Sequence, residues 1–206
     1  MMETVAAYFD YLCPYAWRGA EVAAMVAKPL ALRFDWHPFS LVQAHHRRAG
    51  DGWQLWNAHI DADDGHGAHG LQPFLAGCAA QRQGPDAFDR FHLALLRSRH
   101  VEGLPLTRPT VLRVAEASGL QLARFESDLG DPELRTCLAH EHHRAALLDV
   151  VDSPTFAFRD GHIAAFRVRG LPLDEAEAVR LFAAFRDLLQ RYPYLETVRR
   201  PAPKGN

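Results

Sequence analysis

The chain has 206 residues, 48% of them hydrophobic, enough to bury the core of one substantial domain or of a domain carrying a large insertion. Its 23 basic and 25 acidic residues are spread along its length and leave a formal net charge of −2, which argues against nucleic acid and anionic membrane surfaces as partners. No apolar run is long enough to span a bilayer, Met1-Met2-Glu3 leads straight into a strand-like stretch with no export segment, and the three cysteines are too scattered for a disulfide framework; a cytoplasmic protein with free thiols is expected.

Thr4 to Phe9 is β-prone, and Pro14 to Ala27 is an alanine-rich helical stretch broken by Pro29. Leu30, Leu32, Phe34 and Trp36 then alternate with Ala31, Arg33, Asp35 and His37, the period of a strand with one buried face. The opening is therefore β-α-β. From Gln43 to Gly70 the chain is rich in Gly, His and Asp, with a short helix expected over Trp53 to Ile60. Leu71 to about Leu148 reads as a block of roughly four or five helices, with Asp131 as an N-cap before Pro132. Strands return in "TFAFR" and "HIAAF", joined by Asp160-Gly161 in a tight hairpin. A last helix is expected from Asp174 to Gln190, with Val179, Phe182, Phe185 and Leu189 on one face, followed by a loose tail, "RRPAPKGN".

Pairing the two ends around one sheet gives an α/β domain over residues 1–70 and 149–206, interrupted by a helical subdomain at 71–148, with a ligand crevice between them. The helices should then cover the face that carries the site.

The seam "YFDYLCPYAW" puts Cys13 between the first strand and the first helix. There, unpaired backbone N–H groups and the helix dipole favour thiolate over thiol, and such placements lower a cysteine pKa from about 8.5 to roughly 3.5–7.5. Pro14 suits the first helical position, which needs no N–H donor. The alternative is a small buried hydrophobe, the role that Cys78 and Cys137 take because they fall within apolar helical patterns; Cys13 should thus be the most reactive thiol. "DSPTF", Asp152 to Phe156, places Pro154 just before a strand, where a cis bond is plausible, and the topology brings this loop beside Cys13.

At these residues the sequence resembles the DsbA-like branch of the thioredoxin superfamily, which includes 2-hydroxychromene-2-carboxylate isomerases and kappa-class glutathione transferases. The resemblance covers nearly the whole chain and implies a thioredoxin-like α/β fold with an all-helical insertion. It carries Cys13 over as the attacking thiol, with Pro14, Tyr15, Ala16 and Tyr11 around it, and it makes Ser153, Pro154 and Thr155 the cis-proline loop that contacts a thiol or peptide substrate. Tyr11 and Tyr15 stand open between packing and substrate contact.

Two departures shape the expected activity. Ala16 stands where the branch's oxidoreductases carry a resolving cysteine, so a mixed disulfide at Cys13 is released only by a second thiol molecule. The isomerases and transferases carry Ser-Pro-Tyr-Ser and a later Gly-x-Asp-Arg; this chain has Cys13-Pro14-Tyr15-Ala16 and "RVRGLPLDEAE". Asp174 reads as an N-cap. The expected function is monothiol thiol–disulfide exchange, against a thiol-dependent isomerase or transferase and a non-catalytic binding module of the same fold. No tightly bound cofactor is expected. Glutathione or another low-molecular-weight thiol is the candidate co-substrate, a small thiol or disulfide the candidate substrate, and a homodimer the candidate assembly. His140 to His143, and His66 with His69, read as solvated surface rather than a metal site.

Overall fold

The computed structural model describes residues 2–60 and 69–198. The first strand, β1 (Glu3–Phe9), runs into helix α1 (Pro14–Val26), and β2 (Leu32–Pro38) returns parallel to β1 with Ala7 opposite Trp36. Helix α2 (Leu41–Ala49) follows, then α3 (Leu71–Gln81), α4 (Pro85–His100), α5 (Arg108–Ala117), α6 (Leu122–Leu129) and α7 (Glu133–Leu147). The chain then re-enters the sheet as β3 (Thr155–Ala157) and β4 (Ile163–Ala165), and closes with α8 (Glu175–Arg191). Sheet order is β2-β1-β3-β4, so the expected joining of the two ends is made by antiparallel pairing of β1 with β3.

The alternation in β1 sorts its side chains. Val5, Ala7 and Phe9 belong to the main core, while Tyr8 packs with Phe39, Ala145 and Val150 on the other face. Phe34 and Phe156 meet Phe182 of α8 at ring separations of 5.7 and 5.5 Å. Phe182 is fully buried, and its truncation to alanine costs about 3–5 kcal/mol. Arg186, one turn further along α8, grips Glu3 through two hydrogen bonds of 2.8 and 2.9 Å, tying the last helix to the first strand.

Several local expectations shift. The Trp53–Ile60 helix is only a 3₁₀ turn, Leu55–Asn57. The backbone N–H of Leu55 bonds the Gln43 side chain, and Arg135 takes the carbonyls of Trp56 and Ala58, so tertiary partners replace helical ones. Helix α7 begins at Glu133 with Pro132 in the cap position; Asp131 still accepts the Glu133 N–H at 2.9 Å. Asp174 caps α8, its side chain accepting from the Glu177 N–H at 2.7 Å. The hairpin turns at Gly161, whose φ of +91° the missing side chain permits. His66 and the tail from residue 199 lie outside the described residues.

The reading of His140 to His143 as solvated surface fails at His142. That side chain is 2% exposed, stacks on Phe39 at 5.1 Å and bonds the Ser40 carbonyl at 3.2 Å. Burial pulls its pKa down to about 4, so it is a neutral core histidine. Among the described residues, no group of three His, Cys, Asp or Glu side chains is gathered to hold a metal.

Candidate functional site

Cys13 is the N-cap of α1, in extended conformation, with Pro14 opening the helix. It is 6% exposed, and its thiol donates to the Ser153 carbonyl at 3.2 Å. The Ser153–Pro154 peptide is cis. Two loops 140 positions apart thus meet at one sulfur. They meet because β1 and β3 are sheet neighbours: Cys13 follows the C-terminal end of β1, and Pro154 immediately precedes β3.

Beneath the sulfur the loops are tied again. The Asp10 N–H donates to Ser153 Oγ at 2.9 Å, and the Asp10 carboxylate accepts from Leu12 N–H and Leu41 N–H, both at 2.8 Å. Asp10 is 2% exposed, and burial raises its pKa to about 6 against the pull of those N–H groups. Sequence reasoning missed Asp10. An acid next to an apolar run could be seen in "FDYL", but its burial depends on Ser153 and Leu41, which are distant in the chain.

The expected lowering of the Cys13 pKa is reversed. Burial dominates and raises it above its ordinary value, with the nearby Asp10 charge adding to the rise. The backbone N–H groups of Ala16 and Tyr15 and the contact with Ser153 act the other way without overcoming it. The helix terminus favours the anion, but a thiol closed in on all sides loses the hydration that ionisation needs.

The other predicted positions divide. Pro14 is exposed, and Tyr15 is half-buried at the rim. Ala16 is fully buried under the seam. Tyr11 points inward: it is 0% exposed, packs edge-on to Phe9 at 4.8 Å and sits near His92, so its side chain is closed to substrate. Ser153 is fully buried, with its N–H on Asp152 Oδ1 and its carbonyl on Cys13; both backbone groups expected to meet a substrate are already engaged. Thr155 is 4% exposed and donates to the Asp152 carbonyl at 2.8 Å.

Two arginines that sequence reasoning passed over flank the rim. Arg167 lies over the Tyr15 ring at 4.2 Å and pairs with Asp152 at 2.9 Å. Arg18 lies 5.6 Å from the same ring and 5.3 Å from that of Trp17, and among the described residues it has no carboxylate partner. Positive charge therefore stands beside the ring of Tyr15, two residues past Cys13, with Arg167 already paired to Asp152.

The helical block reaches this seam from α3 and α4. Gly77 of α3 packs on Tyr11, Gly70 at the start of α3 packs on Leu12, and His100 of α4 donates to the Tyr11 carbonyl at 2.9 Å. Arg97 of α4 clamps the buried Glu21 of α1 with bonds of 2.6 and 2.7 Å. The block therefore lies against the stretch that leads into Cys13. Two surface hollows, one beside β2 at Arg33 to Trp36 and one on α7, do not include the thiol.

Of the three thiols, Cys78 is buried as expected, but Cys137 is exposed. On α7 the inward positions are Leu134, Leu138, His142 and Ala145; Cys137 falls beside that stripe rather than in it.

A family model described as a DSBA-like thioredoxin domain matches residues 4–173. No curated protein matches at the sequence level. Among solved structures, 2-hydroxychromene-2-carboxylate isomerase superposes with a TM-score of 0.62 at 14% identity, over 94% of this chain and 100% of that one. The cytosolic disulfide reductase DsbM from Pseudomonas aeruginosa, solved with GSH, gives 0.58 at 19% identity, over 89% and 99%. The oxidoreductase DsbA from Xylella fastidiosa gives 0.54 at 18% identity, over 94% and 88%. At these identities the likeness is one of fold. No helix among the described residues is long and apolar enough to cross a membrane.

Proposed function

From the premise that the chain belongs to the DSBA-like thioredoxin domain family, we propose that it is a thiol–disulfide exchange enzyme working through a single thiol, Cys13. The observation that carries this reading is the Cys13 sulfur itself, held at a helix N-terminus against the Ser153 carbonyl of the cis-proline loop, with Ala16 where a second sulfur would be needed. Pro14, Tyr15 and the Ser153-Pro154-Thr155 loop frame the approach.

In the exchange, the Cys13 thiol leaves the Ser153 carbonyl and loses its proton. The N–H groups of Tyr15 and Ala16 stabilise the anion. The thiolate attacks one sulfur of a small disulfide, forming a Cys13 mixed disulfide as the other sulfur departs as thiolate and takes up a proton. A second thiol molecule, R′SH, then attacks the outer sulfur of the adduct, releasing R–S–S–R′ and freeing Cys13 as the thiol, so that one turn exchanges one disulfide for another. Glutathione, or another low-molecular-weight thiol, fills that second role, and no resident cofactor is needed. The compartment that suits this cycle is the cytoplasm, where such thiols are reduced.

One observation favours a second reading. Arg18 and Arg167 both lie against Tyr15, two residues past Cys13, which suits a carboxylate-bearing substrate or thiol and so a thiol-dependent isomerase or transferase of the 2-hydroxychromene-2-carboxylate isomerase or kappa type. Peptide-resolved mass spectrometry after incubation with glutathione disulfide separates the two. Redox exchange requires a glutathionyl group on Cys13 that dithiothreitol removes, and its absence would leave the isomerase or transferase reading.

A further inference from the structure

The molecule carries a second pair of thiols within its helical block. Cys78 lies on α3 and is 4% exposed, while Cys137 lies on α7 and faces solvent. These two helices pack against each other, and the two thiols are near enough across that contact for each to act on the other's ionisation. Around Cys137 the residues Glu133, Thr136, His140 and Glu141 line an open hollow of about 430 Å³.

We propose that Cys78 and Cys137 form a reversible redox pair, a second thiol–disulfide exchange site that accepts low-molecular-weight disulfides independently of Cys13. The pair divides labour by exposure. Cys137 has an open approach through the hollow and is the attacking sulfur; Cys78 is sealed in the core and is the resolving one. Their mutual influence works in the same sense: the neighbouring Cys78 holds the Cys137 thiol below its ordinary pKa, while Cys137 and burial hold Cys78 above it.

The chemistry balances without another reagent. The Cys137 thiolate attacks a disulfide RSSR, forming Cys137–S–SR and releasing RS⁻. Cys78 then attacks the Cys137 sulfur, forming the Cys78–Cys137 disulfide and releasing the second RS⁻. The two thiol protons leave with the two RS⁻ groups as 2 RSH, and the protein pair is oxidised by two electrons as RSSR is reduced. This is the intramolecular resolution that Ala16 denies to Cys13.

The Cys13→Ala variant isolates the pair. After incubation with glutathione disulfide, its intact mass should fall by two hydrogens, and non-reducing peptide mapping should recover the Cys78 peptide joined to the Cys137 peptide, with dithiothreitol reversing both changes. Adding Cys78→Ser should stop the reaction at one glutathionyl group on Cys137. A persistent glutathionyl group on Cys137 with Cys78 still free to alkylate after denaturation would overturn the pairing, as would two unchanged thiols. Neither negative result touches the reading of Cys13, which this variant lacks.

Discussion

Gly19 and Pro154 are in direct contact across the site: a Cβ built on Gly19 would lie 2.5 Å from Pro154 Cγ. The glycine sits mid-helix in α1, where it costs about 1 kcal/mol of helix propensity relative to alanine. What it gains is a close approach of α1 to the cis-proline loop. Gly19→Ala should push the loop away from Cys13, destabilising the protein by about 1–3 kcal/mol net of the propensity gain, and should raise the alkylation rate of Cys13 as the Ser153 contact loosens. Urea denaturation and peptide-resolved iodoacetamide labelling check the two effects. An unchanged Cys13 rate would mean that the loop does not govern its reactivity.

The burial that raises the Cys13 pKa sets an order among the thiols. Only the thiolate reacts, so Cys13 alkylation should keep increasing with pH beyond the range in which an ordinary cysteine ionises. Cys137, shifted down and exposed, should ionise first and label fastest at pH 7. This inverts the order expected from helix position alone. Rates for each cysteine peptide between pH 6 and 10 test it, and a Cys13 plateau near neutrality would show that the N-terminal N–H groups prevail after all.

Arg18 and Arg167 should discriminate by charge. Replacing each with methionine should raise KM for glutathione disulfide about two- to fivefold, the scale of an exposed ion pair, with no change for uncharged 2-hydroxyethyl disulfide. Equal losses on both substrates would indicate that the arginines shape Tyr15 rather than bind an anion.

His37 should make stability fall with alkalinity. Burial opposes its charge, yet its hydrogen bonds to Asp35 and Glu141, with N–O distances of 3.3 and 2.7 Å, raise its pKa to about 9. A folded value above the ordinary 6.5 means that the native state holds this proton more tightly than the unfolded chain. The stabilisation is therefore complete below about pH 6.5 and is lost as pH rises through 9. Its size is at most about 3 kcal/mol, and solvent around the exposed Asp35 reduces it. Chemical denaturation at pH 6, 8 and 9.5 should show the decline, and His37→Gln should flatten it.

Ala16→Cys should allow release of a Cys13 adduct without added thiol. Because residue 16 is completely buried, the extra sulfur should also cost about 1–3 kcal/mol. Turnover of a small disulfide at limiting glutathione measures the first effect and thermal unfolding the second.

What could be read in advance was whatever depends on chain order. Strand-turn-helix around Cys13 and a proline ahead of a late strand were enough to bring Cys13 to Ser153, because only one sheet could accommodate both halves. Properties set by which atoms surround a group could not be read. The Cys13 pKa turns on closure by the second loop, the Asp10 charge on N–H groups from two other segments, and the contrast between Tyr11 and Tyr15 on which side of the seam each ring falls. Cys137 misled because "LRTCLAH" is apolar in composition, whereas the buried stripe passes one residue to the side.

The 140-position separation between the Cys13 thiol and the Ser153 carbonyl that closes over it also governs how the protein is born. At about 5–20 residues per second, the ribosome needs roughly 7–28 s to add those intervening residues. Throughout that interval β3 has not yet been made, and the sulfur has no lid. The nascent chain therefore displays, for many seconds, a thiol that the finished molecule keeps shut. Any adduct acquired during translation would be enclosed when the last strands dock, so newly made protein should carry Cys13 modifications that a refolded, fully reduced sample does not.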